Sequence, residues 1–211
     1  MRARCGQDFS DVARLARQPG VTSVVASDMA LKTAFRFSAR VLGSSMIIKP
    51  ASLADLPRLT EIHNYYVQNT HITFDVRTFA PEQRVAWFHD HSDGRRHRLL
   101  VAEQAELGIL GYAATGPFRT KEAYETTVEV SVACRPDAIG KGIGTQLYQA
   151  LFSLLADQDV HRVVAGIAQP NVASNALHER FGFKKIGAFT EVGRKFGKYW
   201  DVMWMEKPMI R

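Results

Sequence analysis

The hydrophobic and polar positions from residue 46 onward predict a regular series of strands and helices. Met46–Lys49 has the pattern of a short strand, and Ser52–Asp55 has the pattern of a capping box that begins a helix extending to about Gln68. A second helix is predicted from Pro81 to about His91. Three apolar segments then have the length and composition of strands, the first two forming a hairpin: Leu99–Glu103, Ile109–Thr115 and Thr126–Cys134.

The second half of the chain alternates helices with strands. Apolar residues recur at helical spacing between Gly140 and about Ala156: Ile143, Leu147, Ala150, Leu151, Leu154 and Leu155. The remaining predicted elements are a strand at Arg162–Ala168, a helix at Ala173–Phe181, and strands at Phe183–Gly187 and Tyr199–Glu206. Because hairpins come early and helices alternate with strands later, the sequence predicts an α/β fold with a mixed central sheet and helices on both faces.

Composition and charge narrow the functional classes. The 211 residues suffice for one well-cored domain, and 46% hydrophobic with 23% charged residues is typical of a globular protein. A net charge of +6 suggests nucleic acid at first, but residues 1–45 hold seven Lys/Arg against three Asp/Glu, which leaves 20 against 18 in the remainder. We therefore expect no basic groove and no nucleic-acid partner.

The two cysteines, Cys5 and Cys134, lie far apart, and neither has another cysteine or a histidine at metal-ligand spacing. We therefore expect no disulfide framework, no metal site and a cytoplasmic location. No apolar run approaches the roughly 18 residues of a membrane-spanning helix, so no membrane partner is expected either.

Residues 1–45 differ from the rest of the chain. They are basic, poor in acidic residues and end in a flexible Gly-Ser-Ser joint before Met46. We expect a poorly ordered extension, followed by one domain over residues 46–211. A targeting segment and an upstream start codon are both compatible with this composition.

The segment Thr127–Leu151 carries the most specific chemical signal. An apolar strand leads through a Pro-containing turn into Gly140–Thr145 and then into an amphipathic helix. Glycines let a ligand approach the main chain, and the free amides at a helix N-terminus attract anions, to which Lys141 adds a cation. Neither the P-loop nor the dinucleotide pattern is present. Spacing alone thus indicates a phosphate-binding loop of unspecified kind or a glycine-rich helix start without a ligand.

The same segment resembles motif A of the GNAT (GCN5-related) acetyltransferases. Gly142 and Gly144 fill the glycine positions, whereas Ile139 stands where Arg or Gln is usual. Gln169–Phe183 is similar to the family's second cofactor element. The resemblance is closest to the phosphinothricin and methionine sulfoximine N-acetyltransferases, through motifs spread over nearly all of residues 46–211: Gly116–Arg119, Ala123-Tyr124, Thr127–Val132, Leu177–Phe183 and Lys195–Val202.

The resemblance implies a GNAT fold and acetyl-CoA as co-substrate, with no metal. In this family a strand splays from its neighbour, and the backbone at Val132, Ala133 and Cys134 would bind acetyl-CoA and polarise its thioester carbonyl. The glycine loop would bind the pyrophosphate, mostly through amides: Gly140, Lys141, Gly142, Ile143, Gly144 and Thr145. Asn171 would hydrogen-bond the pantetheine arm or only cap its helix. Direct transfer is the family's rule, so Cys134 is expected to be a backbone contact and not a nucleophile.

Glu129 and His178 are the candidate catalytic residues. An acceptor amine arrives mostly as its ammonium at neutral pH, so a base must remove a proton. Glu129 interrupts an apolar strand and is the candidate base, although a solvent-facing carboxylate would fit the pattern too. His178 stands where many GNAT enzymes have a tyrosine that protonates the thiolate, and a histidine packed on the sheet is the alternative.

Substrate selection is assigned to residues 119–121 and 129–131. Arg119, with Thr120 and Lys121, would clamp an acceptor carboxylate, or would be a solvated surface loop. Val130 and Ser131 would meet the acceptor beside Glu129. Ile72–Asp75 and Trp87 are candidates for an apolar wall and a contact with a partner subunit.

The predicted activity is acetylation of the α-amino group of a small amino-acid-like acceptor, of the methionine sulfoximine, methionine sulfone or phosphinothricin type, with a role in detoxification. The alternatives are acetylation of a peptide or protein N-terminus and, from another class, a non-catalytic acetyl-CoA sensor. The resemblance further implies a homodimer.

Overall fold

The structure is a computed structural model that describes residues 37–41 and 44–209. The expectations for residues 1–36 lie outside the described residues, so the proposed boundary at residue 46 stays a prediction. The strands are β1 Phe37–Val41, β2 Ser44–Pro50, β3 Leu99–Gln104, β4 Gly108–Pro117, β5 Thr127–Cys134, β6 Arg162–Ala168, β7 Lys184–Lys195 and β8 Lys198–Pro208. The helices are α1 Leu56–Asn69, α2 Val85–Asp90, α3 Ile143–Leu155 and α4 Val172–Arg180.

The strands form one eight-stranded sheet in the order β1-β2-β3-β4-β5-β6-β8-β7. Neighbouring strands are antiparallel except β5 and β6, which are parallel. The predicted mixed sheet is therefore confirmed. Strand β1 was not predicted, and it extends the sheet beyond β2.

Two apolar cores cover opposite faces of the sheet, as alternating side chains of buried strands require. On one face α3 packs against the sheet through residues that include Leu147, Leu151 and Val163. On the other face α1 and α2 contribute Leu59 and Phe88. Helices thus lie on both faces, as predicted. Among the described residues, no helix is long and apolar enough to cross a membrane.

Strands β5 and β6 pair over three residues only and then separate. Thr127–Glu129 pair with Arg162–Val164, whereas β5 remains paired with β4 as far as Cys134, and β6 remains paired with β8 as far as Ala168. The edge of β5 that faces β6 is consequently open from residue 130 to residue 134. This is the splayed strand pair that the family resemblance implied.

Helix α3 and strands β7 and β8 differ from their predicted bounds. Helix α3 begins at Ile143 and not at Gly140, because Gly140 and Gly142 have φ of 79° and 77°, which a right-handed helix excludes. Strands β7 and β8 are longer than predicted and meet at a tight turn, Phe196-Gly197, in which both residues have positive φ.

Candidate active site

The glycine loop forms an open cradle at the start of α3. Gly142 is the N-cap, and the first helical hydrogen bond runs from the Gln146 N–H to the Gly142 carbonyl oxygen at 3.2 Å. The amides of residues 143–145 therefore precede the helical ladder, as at any helix N-terminus. A Cβ atom added to Gly140 or Gly142 would meet no atom within 4 Å, so both glycines border open space. Such a cradle fits a diphosphate, with the exposed Lys141 beside it.

The cradle opens into a cleft of about 680 Å³ that passes between β5 and β6 and reaches α1 and α2. Most of the residues predicted to contact the cofactor line this cleft: Val132, Ala133, Cys134, Gly140, Gly142, Ile143, Gly144, Thr145 and Asn171. Asn171 also caps α4, because its side-chain oxygen accepts the Ser174 N–H at 3.1 Å. Val130 and Ser131, predicted to meet the acceptor, line the same cleft.

The main-chain N–H and carbonyl groups of β5 point alternately toward β4 and toward β6. The Arg135 N–H donates to the Leu110 carbonyl of β4 at 2.7 Å, so the antiparallel alternation directs Ala133 toward β4 and Val132 and Cys134 toward the open edge. The Ala133 carbonyl accordingly lies 2.8 Å from where a Cβ on Gly111 would stand. The main-chain groups of Ala133 are thus directed toward β4, and the expected backbone contact of Ala133 with acetyl-CoA stays a prediction.

Cys134 has the environment of an unreactive thiol. Burial raises the pKa of its thiol to about 11, although the Gly144 amide opposes this shift by hydrogen-bonding to the sulfur. The Cys134 carbonyl accepts a hydrogen bond from the Tyr66 hydroxyl at 2.5 Å. A thiol with this pKa is protonated at neutral pH, which argues against a covalent intermediate on sulfur.

Glu129 lies on the face of β5 that carries Ser131 and Ala133, because alternate residues of a strand point the same way. It is partly exposed and lies outside the lining of the principal cleft, two residues before Ser131. Burial raises the pKa of its carboxyl, and the charge of Arg119 lowers it. The positive charge of Arg119 therefore acts on the Glu129 carboxyl.

Arg119 lies in the loop between β4 and β5. Its guanidinium is 4.1 Å from the ring centroid of Phe118 and 5.9 Å from that of Trp204. It also donates a hydrogen bond to the Phe118 carbonyl. Thr120 and Lys121 are exposed beside it. This cationic loop is outside the principal cleft but next to Glu129.

His178 is buried, with both ring nitrogens occupied. Nδ1 is 2.8 Å from the Ser174 carbonyl, to which it donates, and Nε2 is 2.9 Å from the Tyr148 hydroxyl, from which it accepts. Burial lowers the pKa of the imidazole, and it raises the pKa of Tyr148. A neutral imidazole with two hydrogen-bond partners inside the protein fits a histidine packed on the sheet better than a catalytic acid, the other role that the sequence allowed.

A polar group on the α1 side of the cleft was missed by the sequence analysis. It combines His63, Tyr66, Arg84 and Tyr112, all of which line the cleft, with Asp75, whose carboxylate is 2.8 Å from His63 Nε2. These residues are spread over 50 positions of α1, α2, β4 and their loops. No local spacing connects them, so only the fold reveals the group. Of the predicted apolar wall, Ile72–Asp75 with Trp87, the residues Ile72, Thr73 and Trp87 line the cleft.

Within residues 37–41 and 44–209, no group of three or more His, Cys, Asp or Glu side chains is arranged to hold a metal ion.

Comparisons with known proteins identify relatives of the chain. The family described as "Acetyltransferase (GNAT) domain" matches residues 48–204. A phosphinothricin N-acetyltransferase of Streptomyces coelicolor is 52% identical over 77% of this chain and 95% of that protein. An L-methionine sulfoximine/L-methionine sulfone acetyltransferase of Pseudomonas paraeruginosa is 40% identical over 77% of this chain and 94% of that protein.

Solved structures have the same architecture. An acetyltransferase from Salmonella typhimurium, determined with its cofactor acetyl-CoA, superposes with a TM-score of 0.74. It is 33% identical, and the match covers 79% of this chain and 95% of the other.

Proposed function

The chain belongs to the GNAT family and is an acetyl-CoA-dependent N-acetyltransferase, and we propose that its acceptor is the α-amino group of a small amino acid of the phosphinothricin or methionine sulfoximine type. The observation that carries this proposal is the position of the Glu129 carboxyl, which feels the positive charge of Arg119 and lies at the last paired residue before β5 separates from β6. The names of the relatives at 52% and 40% identity support the same acceptor class. Detoxification of such amino acids is the corresponding role.

We assign cofactor binding to main-chain groups. Val132 presents its N–H and its carbonyl, and Cys134 presents its N–H, to the gap between β5 and β6, where a pantetheine arm pairs as an additional strand would; the Cys134 carbonyl already accepts from the Tyr66 hydroxyl. The amides at the start of α3, with Lys141, bind the diphosphate. Ile139 in place of Arg or Gln removes one side-chain contact but none of these amides. Bound acetyl-CoA supplies the acetyl group as an activated thioester.

Glu129 accepts the proton that the acceptor ammonium must lose before its nitrogen attacks the thioester carbonyl. Its carboxylate is two residues from Ser131 on the same face, about 7 Å along the strand. Arg119, with Thr120 and Lys121, binds the acceptor carboxylate. The contacts of His178 favour a structural role over that of the acid that protonates the departing thiolate.

Strand β7 is the proposed contact with a second copy of the chain. It lies at the edge of the sheet, and it exposes Ile186, Phe189 and Val192 to between 57% and 59%. An unpaired edge strand with exposed apolar residues favours pairing with another strand. Light scattering should give twice the chain mass of 23.6 kDa, and Phe189→Lys should give the single mass. A wild-type monomer would contradict the dimer but not the activity.

We propose a cytoplasmic location from the free Cys134 thiol.

The experiment that tests the activity is release of coenzyme A thiol over an acceptor panel. We expect release with phosphinothricin, methionine sulfoximine and methionine sulfone, and none with the same acceptors blocked at the α-nitrogen. Release with short peptides alone would favour an N-terminal acetyltransferase. A blank with every acceptor, together with tight acetyl-CoA binding, would favour a sensor.

A further inference from the structure

A buried arginine lines the acceptor side of the cleft. The side chain of Arg84 is 5% exposed, and its guanidinium lies 3.9 Å from the centre of the Trp87 ring. It donates to the Leu59 carbonyl at 3.3 Å and interacts with the Tyr112 hydroxyl. A guanidinium has five N–H donors. The two contacts inside the protein use only some of these donors, and because Arg84 borders the cleft, the others can bind a ligand there.

The surroundings of Arg84 leave its charge uncompensated. Among the residues that the structure describes, no carboxylate oxygen forms an ion pair with it within 4.0 Å. The nearby Asp75 carboxylate is engaged by His63, and it also interacts with a second buried cation, Lys195. Burial lowers the pKa of His63, so this imidazole is neutral near pH 7. The Asp75 carboxylate is thus engaged by His63 and Lys195, and it forms no ion pair with Arg84.

Lys195 is itself held away from the cleft. Its ammonium donates to the Thr73 carbonyl at 2.8 Å and to the Tyr66 carbonyl at 3.4 Å. It adds positive potential behind the wall formed by Thr73 but does not line the cleft. The buried charge of Arg84, without a carboxylate partner, is unfavourable, and an anion in the cleft would reduce this free-energy cost. The cleft is therefore prepared for a negatively charged group near Arg84.

The position of Arg84 relative to Arg119 indicates which part of the acceptor it meets. Trp87, under the Arg84 guanidinium, contacts Tyr112, and Tyr112 is the cross-strand partner of Ala133. Arg84 is thus level with Ala133, whereas Arg119 is beside Glu129, four residues earlier on the same face. Four residues of strand span about 13 Å. The two cations therefore lie toward opposite ends of the stretch Glu129–Ala133, at whose centre is Ser131, the residue predicted to meet the acceptor.

We propose that Arg84 binds a second anionic group, at the end of the acceptor side chain opposite the α-carboxylate. This inference rests on the proposed function, in which Arg119 binds the α-carboxylate. The preferred acceptor is then an amino acid that carries a negative charge at both ends, such as the phosphinate of phosphinothricin. A neutral side chain of similar length, such as that of methionine sulfone, leaves the charge of Arg84 uncompensated and is acetylated less efficiently.

The test compares two acceptors, phosphinothricin and methionine sulfone, on three variants of the full-length chain. Arg84→Met removes the charge and keeps the length, Arg84→Lys keeps the charge and loses the planar fork, and Arg58→Met is the control. Arg58 is an α1 surface arginine paired with Glu61, so its replacement removes an equal charge outside the cleft. We expect Arg84→Met to lower kcat/KM for phosphinothricin about 10- to 150-fold, the range for a hydrogen bond to a charged partner.

The same variant should change kcat/KM for methionine sulfone far less, so the ratio of kcat/KM for phosphinothricin to kcat/KM for methionine sulfone should fall. Arg84→Lys should lower this ratio by a smaller factor. Arg58→Met should leave the ratio unchanged. Equal losses for both acceptors would overturn the inference, and so would an unchanged ratio. If Arg84→Met does not fold, Arg84→Lys decides by the same criterion. A wild-type chain that releases no thiol with either acceptor would instead refute the proposed function.

Discussion

Replacing Gly142 by alanine tests whether the glycine loop binds the cofactor through its backbone. Gly142 has φ of 77° and open space around its missing Cβ, and Gly182, at the end of α4, has φ of 83° and equally open space. An L-residue in this region costs about 1–2 kcal/mol. Since the two glycines share this strain, both Gly142→Ala and Gly182→Ala should lower the free energy of unfolding by that amount, or Tm by a few degrees.

Only the change at Gly142 should weaken acetyl-CoA binding. Relaxing the strain rotates the loop and turns the amides of residues 143–145 away from the diphosphate. An anion at a helix N-terminus is stabilised by about 0.3–2 kcal/mol, so the Kd should rise by up to about 30-fold. Isothermal titration calorimetry on both variants measures this. Equal Kd values for the Gly142→Ala and Gly182→Ala proteins would refute the assignment of the loop.

Three other changes test the acceptor side and the buried groups. Arg119→Met should raise KM for amino-acid acceptors. Because the charge of Arg119 lowers the pKa of Glu129, the same change should move the acid limb of the pH profile of kcat/KM to higher pH. An unmoved limb would show that Arg119 does not act on the catalytic base. Cys134→Ala should retain turnover, since burial keeps this thiol protonated with a pKa of about 11. Loss of turnover with intact acetyl-CoA binding would indicate that Cys134 is a nucleophile after all. Tyr148→Phe removes the donor to His178 and should lower the free energy of unfolding in urea by about 1–3 kcal/mol with kcat nearly unchanged; a large fall in kcat at unchanged stability would instead indicate that His178 transfers a proton.

The elements that pack against the core were predictable from the sequence, because burial imposes a period on their apolar residues. Arg162–Ala168 was predicted at its observed bounds for this reason. Strand β7 was mostly missed, since its residues are exposed and follow no alternation. The start of α3 was placed three residues early, because glycine spacing marks a loop and a helix N-terminus alike but does not show which glycines take positive φ.

The part of the site that belongs to one continuous segment was predictable, and the part assembled from distant segments was not. Residues 130–145 were identified because the strand, glycine loop and helix follow one another. Arg84 gave no signal, because its surroundings come from α1, α2 and β4. For His178 the sequence left two roles open, and only the neighbours Tyr148 and Ser174 favour one of them.

Replacing Glu129 by glutamine tests whether this carboxylate removes the proton from the acceptor amine. Glu125→Gln is the matched control, because Glu125 pairs with Arg96 on the surface. At pH 7 we expect kcat/KM for the acceptor to fall about 10²- to 10⁴-fold in Glu129→Gln, with unchanged acetyl-CoA affinity and partial recovery at high pH, where the amine deprotonates without help. A Glu129→Gln protein whose kcat/KM at pH 7 equals that of the Glu125→Gln control would show that Glu129 is not the base.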